Sequence, residues 1–101
     1  MMQKLISDFN KKYSVHADIK TRYIDLVSEV GELGKELLQS TCYGKSDFIQ
    51  INEIADEIGD CLYSLFTLCN ELNIDSRESV IRVLAKYELR YQQKGEIGSG
   101  Y

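Results

Sequence analysis

Glu29, Glu32 and Glu36 recur every three or four residues in SEVGELGKE, and Glu53, Asp56, Glu57 and Asp60 do the same in NEIADEIGD. On a helix such spacing sets each group along one face. Like charges so placed repel by a few tenths of a kcal/mol per pair when exposed, and by more when partly buried. A divalent cation reverses that sign. Hard carboxylate oxygens in this number suit Mg²⁺, which keeps positions free for water and phosphate oxygens. The competing reading is a solvated acidic face that holds nothing. Two clusters, each beside an apolar stripe and each containing a glycine (Gly31 or Gly59), favour the cation site. The glycines are expected to permit close backbone approach where the carboxylates converge.

The elements that must position these groups are helices. There is no proline, and the apolar spacing is helical throughout. A first helix is expected over about Gln3–Tyr13. A second runs over Ile19–Thr41, with Leu26, Val30, Leu33 and Leu37 on its apolar side. TCYGKSD is a loop, broken at Gly44. A third helix covers about Phe48–Leu72, its apolar side being Ile51, Ile54, Ile58, Leu62, Leu65, Cys69 and Leu72. In IDSRE, Asp75 caps a fourth helix and Glu78 follows three residues later. That helix continues through Val80, Val83, Leu84 and Tyr87 to about Gln92, leaving residues 93–101 as a flexible tail. The expected architecture is all-α: one domain over residues 1–101, a four-helix bundle whose two long central antiparallel helices carry the acidic motifs.

Composition narrows the function classes. A chain of 101 residues forms one domain, and 44% hydrophobic with 28% charged residues argues against disorder. No apolar run approaches the roughly 18 residues that span a bilayer, and MMQKLISDFNKK is too mixed for a secretory signal. Cys42, Cys61 and Cys69 form no CxxC pair. Cys61 and Cys69 fall on an apolar stretch, where free cysteine acts as a small core residue, pointing to a reducing cytoplasm. The net charge of −4 argues against a nucleic-acid polymer as partner. Between residues 29 and 60 eight acids face only Lys35 and Lys45, whereas the last helix carries Arg77, Arg82, Lys86 and Arg90. An acidic middle and a basic end are placed to meet across a shared site.

EVGELGKE followed by DEIGDCLYSLFTLCNELNID resembles the MazG-like members of the all-α NTP pyrophosphatase superfamily, from about Leu26 to Arg90. The family motif is ExxE, a spacer, then ExxD, here Glu29-Val30-Gly31-Glu32 and Glu57-Ile58-Gly59-Asp60. The resemblance implies Mg²⁺-dependent hydrolysis of nucleoside triphosphates to monophosphate and pyrophosphate, with Mn²⁺ as a possible substitute. It implies Glu29, Glu32, Glu57 and Asp60 as metal ligands, and Glu36 as a further ligand or water-orienting group. Glu53 and Asp56 read as supporting or surface groups. It also implies phosphate-binding cations on the last helix. KYELR supplies Lys86 and Arg90 one turn apart on one face, a point charge and a bidentate fork, with Lys94 a weaker candidate. Solvated surface cations are the bland alternative.

The chain departs from the family in places. Leu84 and Ala85 stand where many relatives carry a polar residue before the lysine, and there is no tryptophan to stack on a base. Phe9, Tyr13, His16 and Tyr23 are the remaining base-pocket candidates. Phosphoribosyl-ATP pyrophosphatase and dimeric dUTPase relatives share the acidic scaffold and stay open. A di-iron carboxylate bundle needs Glu-x-x-His pairs, which the lone His16 cannot supply. The non-enzyme alternative is a helical module whose acidic patch binds a metal or a basic partner. A homodimer or homotetramer is expected, with Tyr63, Phe66, Tyr87 and Tyr91 as candidate interface residues.

Overall fold

Local chemistry sets the helix ends. In the computed structural model, which describes residues 1–49 and 51–98, the described residues form four helices and no strand. They are α1 (Met2–Lys12), α2 (Ile19–Ser40), α3 (Asn52–Glu71) and α4 (Ser76–Lys94). Asp18 accepts the Thr21 N–H at 2.7 Å and so caps α2. Asp75 caps α4 by accepting the Glu78 N–H at 3.1 Å, as the IDSRE pattern predicts. Gly95 ends α4 in the left-handed region (φ 76°), its N–H donating to the Tyr91 carbonyl at 2.8 Å. One boundary differs from expectation. Phe48 and Ile49 lie before α3 (Gln50 is outside the described residues), because apolar spacing continues through Phe48–Ile51 although the backbone has not yet turned helical.

The acid-bearing helices α2 and α3 are the two long neighbours, packed together and returning antiparallel through the loop around Gly44. That loop needs three successive left-handed residues, Cys42, Tyr43 and Gly44, of which only the glycine takes the conformation without strain. Helix α1 also packs on α3. Asn10 bridges the two, donating to Thr67 Oγ1 at 3.2 Å and accepting from the Tyr63 hydroxyl at 2.6 Å.

What is buried in this chain is mostly polar. Among the described residues Ile54 is the one buried hydrophobic side chain, beside buried Arg22, Ser64 and Thr67. Apolar positions expected to form the core, among them Val30, Leu37, Ile58, Leu62 and Leu65, are exposed. Cys61 and Cys69 are half-buried and Cys42 exposed, all with free thiols.

Helix α4 packs along none of the other three. Its departure is fixed at its base by Gln3. The Gln3 side chain donates to the Ile74 carbonyl at 2.7 Å and accepts the Ser76 N–H at 2.8 Å, while Asn70 donates to the Gln3 carbonyl. Asn73, in the left-handed region (φ 55°), turns the chain between α3 and α4. The radius of gyration is accordingly 17.0 Å, against about 13 Å for a compact domain of this length.

Candidate metal centre

Packing α2 on α3 brings three of the predicted acids together. One carboxylate oxygen each from Glu29, Glu57 and Asp60 lies within 4.8 Å of the others. The cause is register. Glu57 and Asp60 stand three apart on α3, one turn of a single face, and the antiparallel return sets Glu29 of α2 against them. Glu32, the fourth predicted ligand, is exposed and outside this trio, and Glu36 is half-buried one turn further along α2. Both still act on the site through their charge. Glu57 has its carboxyl pushed above the ordinary 4.5, first by burial and then by Asp60, Glu29, Glu32 and Glu36 in that order. Its Oε2 is buried without a hydrogen-bond partner. Glu53 and Asp56 are exposed at the start of α3.

The donor set suits a hard divalent cation. Three carboxylate oxygens converge, one of them an orphaned buried acceptor. Leaving such a group unpaired costs about 1–3 kcal/mol or more, and a cation would satisfy it. The neighbouring Cys61 is no competing soft ligand in its resting form. Burial, then Glu29, Glu57 and Asp60, push its thiol above the ordinary 9.0, so it stays protonated.

The glycines do not behave as expected within one chain. A Cβ added at Gly31, Gly34 or Gly59 would meet nothing within 4 Å, so no backbone approach within the chain requires them. The helix faces at these glycines remain open.

The predicted phosphate ligands lie elsewhere. Lys86 and Arg90 flank the Tyr87 ring, their cationic atoms 5.8 and 5.6 Å from its centroid, which places both on one side of α4. Among the described residues no ion pair joins them, or Lys94, to the acids of α2 and α3. Ser79, Arg82, Val83 and Lys86 line a shallow pocket of about 300 Å³ on the flank of α4. A larger groove of about 730 Å³ lies between α1 and the α3–α4 turn, and none of the acids lines it. The base-pocket candidates Phe9, Tyr13, His16 and Tyr23 are all exposed, with the Phe9 and Tyr13 rings in tilted contact, 4.9 Å between centroids and 50° between planes.

Arg22 was not singled out by spacing, although it stands seven residues before Glu29 on the same face of α2. It is 6% exposed, its Nε and Nη2 have no partner, and Nη1 lies 4.0 Å from Asp25 Oδ2. The signal was available: two helical turns, roughly 10 Å, separate this cation from the first motif carboxylate.

The match to known families falls on these elements. The MazG nucleotide pyrophosphohydrolase domain matches residues 18–94, from the cap of α2 to the last residue of α4. The chain belongs to that family. No curated protein and no solved structure matches it significantly. Membership assigns this domain, in general terms, nucleotide pyrophosphohydrolase activity. No helix among the described residues is long and apolar enough to cross a membrane.

Proposed function

We propose that this MazG domain is a Mg²⁺-dependent nucleoside triphosphate pyrophosphohydrolase that converts (d)NTP to (d)NMP and pyrophosphate in the cytoplasm, clearing the nucleotide pool, as a homodimer or homotetramer. The supporting observation is the convergence of Glu29, Glu57 and Asp60 around an unpaired buried oxygen. These three residues would hold the cation, with Glu32 joining through a change of rotamer. When bound, the cation neutralises triphosphate charge and lowers the pKa of water. Mn²⁺, with the same preference for oxygen donors, would substitute.

The chain's own groups do the rest. Glu36, one turn beyond the motif, holds the attacking water and accepts its proton as the oxygen bonds to phosphorus. The bridging P–O bond breaks and its electron pair leaves with pyrophosphate. Lys86, Arg90 and Lys94 bind the phosphate oxygens, Arg90 through two parallel N–H donors and the lysines as point charges.

Pyrophosphate release from a panel of canonical and modified nucleoside triphosphates, with and without Mg²⁺, tests this. Glu57→Gln and Glu32→Gln run alongside. Each substitution is expected to cost at least the roughly 10- to 100-fold that loss of a supporting contact costs at metal sites. Release that ignores Mg²⁺ or survives both substitutions would reject the assignment.

A further inference from the structure

Among the described residues, the buried side-chain atoms without a partner belong to two residues alone, Glu57 and Arg22. The first is accounted for by the cation it would share with its neighbours. The second is not. Arg22 is 6% exposed, and its unpaired donors are Nε and Nη2. They share one edge of the planar guanidinium, so two of their N–H bonds run parallel. Nη1, off that edge, lies 4.0 Å from Asp25 Oδ2, too far for a hydrogen bond. Unmade hydrogen bonds on a buried charge are costly, which points to an acceptor that arrives from outside the chain.

Register places this edge in the seam that carries the acids. Glu29 stands against Glu57 and Asp60, and on antiparallel helices seven residues back along α2 correspond to seven forward along α3. Arg22 therefore comes level with Ser64 and Thr67, the only other buried polar residues among those described. Asn10 donates to Thr67 Oγ1 at 3.2 Å, which leaves the threonine hydroxyl proton to donate in turn. A neutral polar layer with one cationic fork thus lies two helical turns, about 10 Å, from the converging carboxylates. A nucleotide whose reacting phosphate sits at those carboxylates extends its base across such a span.

We infer that Arg22 reads the base of the nucleotide, its Nε–Nη2 edge donating two parallel hydrogen bonds to a base with two adjacent acceptors. Guanine offers O6 and N7, and cytosine offers O2 and N3. Adenine sets its amino group beside N1 and N7, and uracil and thymine set N3–H between their carbonyls, so a donor-only edge disfavours all three. The edge is shut off from bulk water, where two hydrogen bonds discriminate more sharply than at a surface. A phosphate also fits such a fork. The reacting phosphate, however, belongs at the carboxylates two turns away, and a neutral base enters a buried layer at less cost than an anion. The inference rests on the nucleotide reading of the preceding section and adds which bases that site accepts.

Binding is measured before turnover. Full-length wild type, Arg22→Met and Arg22→Lys are titrated calorimetrically, in Mg²⁺, with the α,β-imido analogues of GTP, CTP, ATP and UTP, which resist cleavage at that bridge. Wild type is expected to bind the guanine or the cytosine analogue about 5- to 150-fold tighter than the adenine and uracil ones, the range of one bidentate base contact. Arg22→Met should erase that preference and leave the adenine and uracil affinities in place. Arg22→Lys keeps the charge without the fork and should behave like Arg22→Met. Analogues built on 7-deazaguanine and 3-deazacytosine each lack one acceptor and tell the two bases apart. Removing the acceptor that Arg22 contacts should abolish the preference on wild type and change nothing on Arg22→Met. The wild-type half of that comparison holds whatever the variants do.

Equal affinity for all four bases, as an edge occupied only by ordered water predicts, would overturn the proposal. So would a guanine or cytosine preference that survives Arg22→Met or that Arg22→Lys restores. A uniform loss across the four analogues in Arg22→Met, shared by inorganic pyrophosphate, would make Arg22 a phosphate ligand and also overturn it. Wild type that binds and cleaves nucleotides without base preference would count against Arg22 alone. Wild type that binds none of them would remove the nucleotide reading and this one together.

Discussion

Leu65 offers a direct measure of what the exposed apolar seam of α3, Ile51, Ile58, Leu65 and Leu72, contributes to the proposed oligomer. It lies mid-way along α3, 43% exposed, seven residues from both Ile58 and Leu72. Burying a whole leucine side chain stabilises by about 1.5–3 kcal/mol. Covering the fraction still open is then worth roughly 0.6–1.3 kcal/mol per chain, and a two-fold interface counts it twice. Leu65→Ala should therefore weaken dimerisation by about 1–2.5 kcal/mol, a 6- to 70-fold rise in Kd by sedimentation equilibrium. Leu65→Met, which nearly conserves volume, should recover most of that loss. The helix content at concentrations where wild type is dimeric should change little, since α3 retains its contacts with α1 and α2. An unchanged Kd in Leu65→Ala, with wild type dimeric, would show that the seam is not the contact and refute the reasoning.

Two further outcomes follow from groups in the site. Glu57 binds its proton more tightly in the folded chain than at its ordinary 4.5. Its contribution to stability is therefore full below 4.5 and is lost as pH rises through the raised folded value. In chelator, Tm should fall from about pH 4.5 toward neutrality, and Mg²⁺ or Glu57→Gln should flatten that decline; a chelator profile rising throughout would contradict it. Asp18 acts with the opposite sign, since the Thr21 amide and hydroxyl hold its carboxyl below 3.8. At Arg22 two buried donors lack partners, so Arg22→Met should leave Tm unchanged or raise it. A drop beyond about 4 °C, roughly 1 kcal/mol for a domain this size, would show that the guanidinium has found a partner.

Much of this protein is legible one-dimensionally because it depends on neighbours three or four residues apart. The four helices, the Asp75 cap, the acidic stripes of α2 and α3, and the pairing of Lys86 with Arg90 about Tyr87 all follow from helical period and side-chain type. The same locality explains the error at Phe48. An apolar residue ahead of a helix carries the same letter as one inside it, and only the backbone distinguishes them. The expected core was misplaced for a related reason. Periodicity identifies which face of α3 is apolar, so Ile58 and Leu65 read as interior, yet says nothing about whether the chain's other helices cover that face, and in the fold they leave it exposed.

Tertiary structure decided the rest. Register between α2 and α3 selected Glu29, Glu57 and Asp60 as the converging trio and left Glu32 outside it, because an antiparallel pair aligns only some turns of each helix. It buried Arg22 on the face of the first motif, and it set α4 apart from the acids through hydrogen bonds from Gln3, more than seventy positions away in the chain. Contacts between residues so distant depend on how whole helices are oriented, and no local spacing encodes that.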